Sequence, residues 1–155
     1  MPSRSLAVQI PVTIGSLEGC LDFPEGLFKD SNFLIRGLAL VAHPHPLMGG
    51  TMDNKVTQTM AKALNQLGYI TLRTNFRGVG SSAGSFDDGV GETNDLYEVL
   101  DWLQCESSWS GLSGLETTSW LGQLSHLPVV LGGFSFGSYV VSRLMQRCQE
   151  ENKNM

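Results

Sequence analysis

Histidine, cysteine and basic residues are all scarce in this chain of 155 residues. His43, His45 and His126 are the only histidines, and no third and fourth ligand at sensible spacing joins them, so no metal site is expected. Cys20, Cys105 and Cys148 are far apart and form no C-x-x-C, which excludes a disulfide framework and fits free thiols in a reducing compartment. Ten Lys and Arg against 15 Asp and Glu leave a net charge of −5, which disfavours nucleic-acid and anionic-membrane partners. The apolar stretch from Leu6 to Ile14 is broken by Gln9, Pro11 and Thr13, so neither a signal peptide nor a membrane span is read there. The cytoplasm is the expected compartment. No internal repeat or low-complexity tract is present. What is present is 41% hydrophobic residues and 18 glycines, in a length that suits one domain, residues 1–155, around one core.

Val8, Ile10, Val12 and Ile14 alternate with polar residues and Pro11, which predicts a half-buried edge strand. Gly15-Ser16 predicts the turn of a hairpin, with Leu17 to Phe23 as the returning arm. The continuous apolar run from Phe33 to Ala42 predicts a strand covered on both faces. Two prolines and two glycines then exclude helix and strand from His43 to Gly50. Asp53 or Asn54 can cap a helix with Val56, Met60, Ala63, Leu64 and Leu67 on its apolar face and Gly68 at its end. Tyr69 to Asn75 reads as the next strand, which makes a βαβ unit. A glycine-rich loop, Phe76 to Gly91, precedes a helix from about Glu92 to Leu103, whose apolar face is Leu96, Val99, Leu100 and Leu103. Between Glu106 and His126 a short helix is expected over Leu115–Leu124, packed down by Trp109 and Trp120. Two antiparallel arms followed by alternating strands and helices predict a doubly wound, mostly parallel α/β sheet with an N-terminal antiparallel hairpin.

The stretch that carries chemistry is Leu127 to Cys148. An apolar run ends in Gly133-Phe134-Ser135-Phe136-Gly137, and apolar residues then return at Val140, Val141, Leu144, Met145 and Cys148. That is strand, tight turn, helix, and the turn fits G-x-S-x-G, the nucleophile elbow. So sharp a turn strains the serine backbone, and a Cβ two residues to either side would clash. The serine oxygen then stands above the sheet at a helix N-terminus, where free N–H groups favour negative charge.

Three motifs in register, the elbow, His43-Pro44-His45-Pro46 with Gly49-Gly50, and Asn75-Phe76-Arg77-Gly78-Val79-Gly80-Ser81-Ser82, resemble those of the α/β-hydrolase family. The resemblance is to its small, lid-less bacterial members related to dienelactone hydrolases, and it covers about Ile35 to Met145. It implies a carboxylesterase-like serine hydrolase acting on a small ester or related acyl substrate through an acyl-enzyme on Ser135, with no cofactor. The oxyanion hole it implies combines the N–H of Phe136 with one from the earlier loop. Pro44 and Pro46 have none to give, which leaves His45 or Leu47, with His45 preferred.

The family order is Ser, then Asp or Glu, then His. The 20 residues after Ser135 hold Glu150 and Glu151 but no aspartate or histidine. The chain is therefore expected to be the N-terminal part of a hydrolase, truncated after the elbow helix, with an uncovered sheet edge through which it could homo-oligomerise. The alternative is a non-catalytic remnant or interaction module without the Asp and His of the triad. His43 and His45 are expected to shape the oxyanion loop and hydrogen-bond its backbone. His126 is expected at the wrong end of its strand to serve as base. Gly78-x-Gly80-x-x-Ala83 meets the loose dinucleotide pattern, but no helix opens directly after it. Arg77 is expected to clamp its loop, Asp87, Asp88, Asp95 and Asp101 to cap or solvate the following helix, and Trp102 and Trp109 to sit in the core.

Overall fold

The computed structural model describes residues 4–115, 118–153 and 155. Strands β1 (Arg4–Val12) and β2 (Gly15–Phe23) form the hairpin, and β3 (Gly37–Ala42) and β4 (Tyr69–Thr74) flank helix α1 (Lys55–Gln66). Helices α2 (Val90–Leu103) and α3 (Glu106–Trp109) follow, then a 3-10 segment (Ser119–His126), strand β5 (Val129–Gly133) and helix α4 (Phe136–Glu150). The sheet order is β1-β2-β4-β3-β5. β1 and β2 pair antiparallel, as do β2 and β4, while β3 is parallel to both β4 and β5. From β3 the chain crosses to β4 on one side and later to β5 on the other. Right-handed crossovers in opposite directions put α1 on one face and α2 with α4 on the other.

This is the expected architecture, with Pro11 on an edge strand where its missing donor costs nothing. Every residue of β3 is buried, as a strand covered on both faces requires. The core continues through Leu17, Leu21, Ile70 and Leu72, and through Leu96, Val99, Leu100 and Leu103 of α2. Trp102 and Trp109 are buried too, and Trp109 and Trp120 meet edge-on with ring centroids 6.0 Å apart, closing the long connection against the core. The expected helix over Leu115–Leu124 is instead a 3-10 segment over Ser119–His126, and residues 116 and 117 lie outside the described residues.

Three boundaries and one face differ from expectation. The hairpin turn is Thr13–Ile14, two residues earlier than Gly15-Ser16, because Gly15 pairs with Val12 and opens β2 at φ 139°. Ile14 is therefore a turn residue. β3 begins only at Gly37: Arg36 donates to the Gly68 carbonyl, and Leu34 is 86% exposed. α2 starts two residues earlier than expected, at Val90.

The face of α1 is the larger correction. Its buried line is Thr57, Ala61 and Asn65, one residue later at each step than the apolar stripe. Val56 and Leu67 of that stripe are 40% and 55% exposed. The ends of the helix decide this rotation. Asn54 caps it by accepting from the N–H groups of Val56 and Thr57, and Gly68, at φ 98°, turns the chain straight into β4. Small Thr57 and Ala61 then let the helix approach the sheet. Asn65 replaces apolar packing with hydrogen bonds from Nδ2 to the carbonyls of Asp22 (2.7 Å) and Tyr69 (3.0 Å).

The rotation makes a test of stability. Leu67→Gln should change unfolding free energy by less than about 0.5 kcal/mol, as at an ordinary surface site. Ala61→Leu, which forces volume against the sheet, should cost about 1–3 kcal/mol in urea denaturation. The opposite ranking would place the apolar stripe inward.

Candidate active site

β3, β4 and β5 end together, and the loops that leave them meet above the sheet. β5 runs into the elbow, whose apex, Ser135, has φ 56° and ψ −118°, a backbone that only a surrounding structure can hold. Gly133 and Gly137 make room for it. A Cβ on Gly133 would lie 2.5 Å from the Gly137 carbonyl group, and one on Gly137 would lie 2.3 Å from the carbonyl oxygen of Ala42. The turn therefore rests, backbone on backbone, against the end of β3. Ser135 is exposed and its side chain makes no capping bond to α4.

The loop after β3 is held from within. His43 is fully buried. Its Nε2 accepts from the Phe76 N–H at 3.0 Å, so Nδ1 carries the proton and donates to the Pro44 carbonyl at 2.7 Å. One imidazole thus ties the ends of β3 and β4. Burial pushes its pKa down to about 4, opposed only by the bond to Pro44. Further along, contrary to the expectation of no helix from His43 to Gly50, Pro46–Met48 form one 3-10 turn, which tolerates Pro46 at its first position because no N–H is needed there. The His45 carbonyl accepts from Met48 and Gly50, and His45 Nδ1 accepts from the Leu47 N–H at 3.1 Å. The N–H of Leu47 is therefore occupied. Among the described residues neither the His45 N–H nor the Phe136 N–H has a hydrogen-bond partner. The rings of these two residues lie 4.9 Å apart, so the loop and the elbow are in contact.

The loop after β4 is pinned at both ends. Arg77 grips Asp95 through Nε and Nη2, both at 2.7 Å, and also donates to the Gly91 carbonyl at 3.2 Å. Asp95 is buried, so it neither caps nor solvates α2 as expected but forms the other half of the clamp. Burial raises the Asp95 carboxyl above the usual range and Arg77 draws it back. Glu18 accepts from the Ser81 N–H and from Asn75, which lowers its pKa, while Asn75 also accepts from the Met52 N–H. At the far end Glu92 accepts from the N–H groups of Asp87 and Gly89.

No histidine here is placed as a base. Both His43 nitrogens are engaged. His45 Nδ1 is turned to its own loop. His126 precedes β5, at the end opposite the serine. Glu150 and Glu151 end α4, about 22 Å along the helix from Ser135, and Glu151 accepts from the Tyr97 hydroxyl. Among the described residues there is no group of three His, Cys, Asp or Glu that could hold a metal ion, and no helix long and apolar enough to cross a membrane. The parts missed in the sequence are the Asp22–Arg73 pair (3.0 Å), the Asn75 bridge and the ring of Phe86 over the elbow. Each depends on contacts between distant strands and loops, with no local signal.

A serine at a strained strand-to-helix turn, at the C-terminal ends of the parallel strands of a mixed sheet with helices on both faces, defines an α/β hydrolase. The model of the X-Pro dipeptidyl-peptidase (S15) family matches residues 39–129, and the chain belongs to that family. A protein of Rickettsia prowazekii (strain Madrid E) is 44% identical over 128 residues, a match covering 83% of this chain and 47% of that one. The crystal structure of an α/β serine hydrolase without lid from Xanthomonas campestris superposes with a TM-score of 0.73 at 33% identity, covering 96% of this chain and 59% of that one. An α/β serine hydrolase homologue from Coxiella burnetii gives 0.69 at 38% identity, covering 93% and 57%. The chain thus spans about half to three-fifths of the length of these relatives.

Two measurements test the site as built. His43 has its pKa near 6.5 when unfolded and about 4 when folded. Its contribution is therefore complete above pH 6.5 and is lost as pH falls toward 4. Over that window the stability should drop by about 3 kcal/mol, and His43→Gln should lose that part of the pH dependence. Gly137→Ala should destabilise by about 3 kcal/mol, since backbone on both sides must move. A neutral result would mean that the elbow is looser than drawn.

Proposed function

We propose that Ser135 is the nucleophile of a serine hydrolase acting on a small ester or related acyl substrate through an acyl-enzyme. The observation that supports the reading is the strained, exposed Ser135, followed in the chain by Phe136, whose N–H has no partner and whose ring lies 4.9 Å from that of His45. Attack by the serine oxygen on an acyl carbon would place the developing negative charge between the N–H groups of Phe136 and His45. One such donor is typically worth about 2.7–4 kcal/mol of barrier. His45 is the second donor in this reading, because Leu47 gives its N–H to the His45 ring. The fold family and the serine hydrolase relatives support hydrolysis, and the small acyl ester is our extension of it. A cytoplasmic location fits three free cysteines.

A second reading is favoured by the engaged or distant histidines. In it this stretch of chain is non-catalytic by itself, and the outer edge of β5 pairs with a partner strand or a second copy. A serine hydroxyl without a base is a poor nucleophile at neutral pH.

A fluorophosphonate probe separates the two. Under the first reading it labels Ser135 in folded protein, with the site found by peptide mass and lost in Ser135→Ala. A folded sample that takes no label, and that elutes as a dimer in size-exclusion chromatography, would favour the second.

A further inference from the structure

Resting on Ser135 as nucleophile, we propose that the site takes a neutral, apolar acyl group, aromatic by preference, and that Phe86 is its specificity-determining residue. The two residues read as oxyanion donors both carry rings, His45 and Phe136, and those rings lie 4.9 Å apart. Phe86 lies against each of them with its ring tilted, at centroid distances of 4.9 Å and 5.6 Å. Tyr139 extends the same surface, 6.1 Å from Phe136 and 47% exposed. The surface that adjoins the oxyanion donors is therefore aromatic.

Among the described residues, Phe86 packs on the rings of His45 and Phe136 and on no other aromatic side chain. It is half-buried and stands outside the hydrophobic core, whereas Phe76 and Phe136 belong to that core or pack directly on it. Its loop is nevertheless one of the most firmly tied in the molecule. Arg77 holds the entry through Asp95, and Glu92 holds Asp87 and Gly89 just beyond the ring. A large apolar side chain is thus fixed over the elbow by polar bonds on both sides. Its exposed part stabilises little in solvent, and an apolar ligand covering it would release water from ring and ligand alike.

Charge narrows the class further. The two residues that follow Phe86 are Asp87 and Asp88, both exposed. Arg143 lies beyond Tyr139, donating to its hydroxyl at 2.8 Å. Asp87 pairs with Arg77 at 4.0 Å, and two exposed carboxylates so near Phe86 in the chain disfavour an anionic acyl group such as a dicarboxylic half-ester.

The test reads binding and does not require turnover. N-methylbenzamide, N-methylacetamide and benzoate are titrated into the 15N-labelled full chain, and the amide signals of His45 and Phe136 are followed. The benzamide should bind about tenfold more tightly than the acetamide, and benzoate more weakly than the benzamide. Phe86→Ala should remove most of the benzamide advantage while its melting temperature stays close to that of the parent. If that variant does not fold, Phe86→Ala is replaced by the milder Phe86→Leu, which should lower the advantage in the same direction. Equal affinities for the two amides, an advantage untouched by Phe86 substitution, or a preference for benzoate would each overturn the proposal. Absence of fluorophosphonate labelling with the benzamide preference intact would instead remove the nucleophile reading and leave the aromatic face standing.

Discussion

Close backbone contact between the elbow and the end of β3 is the constraint on which the upper edge of the molecule depends. Gly137 lies so near Ala42 and His43 that no side chain fits between them, and Gly133 lies as near to Gly137. Those contacts permit Ser135 its unusual backbone angles, because the strain is held by flanking structure and not by the turn alone. The sheet supplies the rest. β3 and β5 are parallel neighbours, so both deliver their C-terminal ends to the same place.

Polar bonds then arrange the loops that apolar packing cannot fix. His43 does so from inside the fold, with one nitrogen to each of two loops, and its burial keeps it neutral through the physiological range. Arg77 and Asp95 do it at the start of α2. Such a pair contributes less net stability than its short distances suggest, since both ions lose water. Its effect is geometric: it sets where the loop after β4 begins, and so where Phe86 falls.

The elements that could be read from sequence are those with a local or periodic signature. The Gly133–Gly137 turn, the hairpin, the α2 core face and the edge position of Pro11 all belong here. α1 was misread in its face because periodicity reports which residues are apolar, while the helix ends decide which are buried. Asp95 was misread for a related reason, since a charged residue on a helix looks solvated until its partner from another loop is seen. For the loop donor the sequence leaves His45 or Leu47 and favours His45. A bond from one to the other's ring separates them.

By itself the sequence determined the strand and helix order, the serine at a glycine-flanked bend, and the two prolines that limit which N–H groups the neighbouring loop can offer. These follow from allowed backbone angles and missing donors, which are properties of single residues and their nearest neighbours. Only the tertiary structure decided which loop N–H stays free, how α1 is turned, and that Phe86 lies on His45 and Phe136. Those outcomes depend on residues far apart in the chain, brought together when β3, β4 and β5 align and their loops compete for the same space.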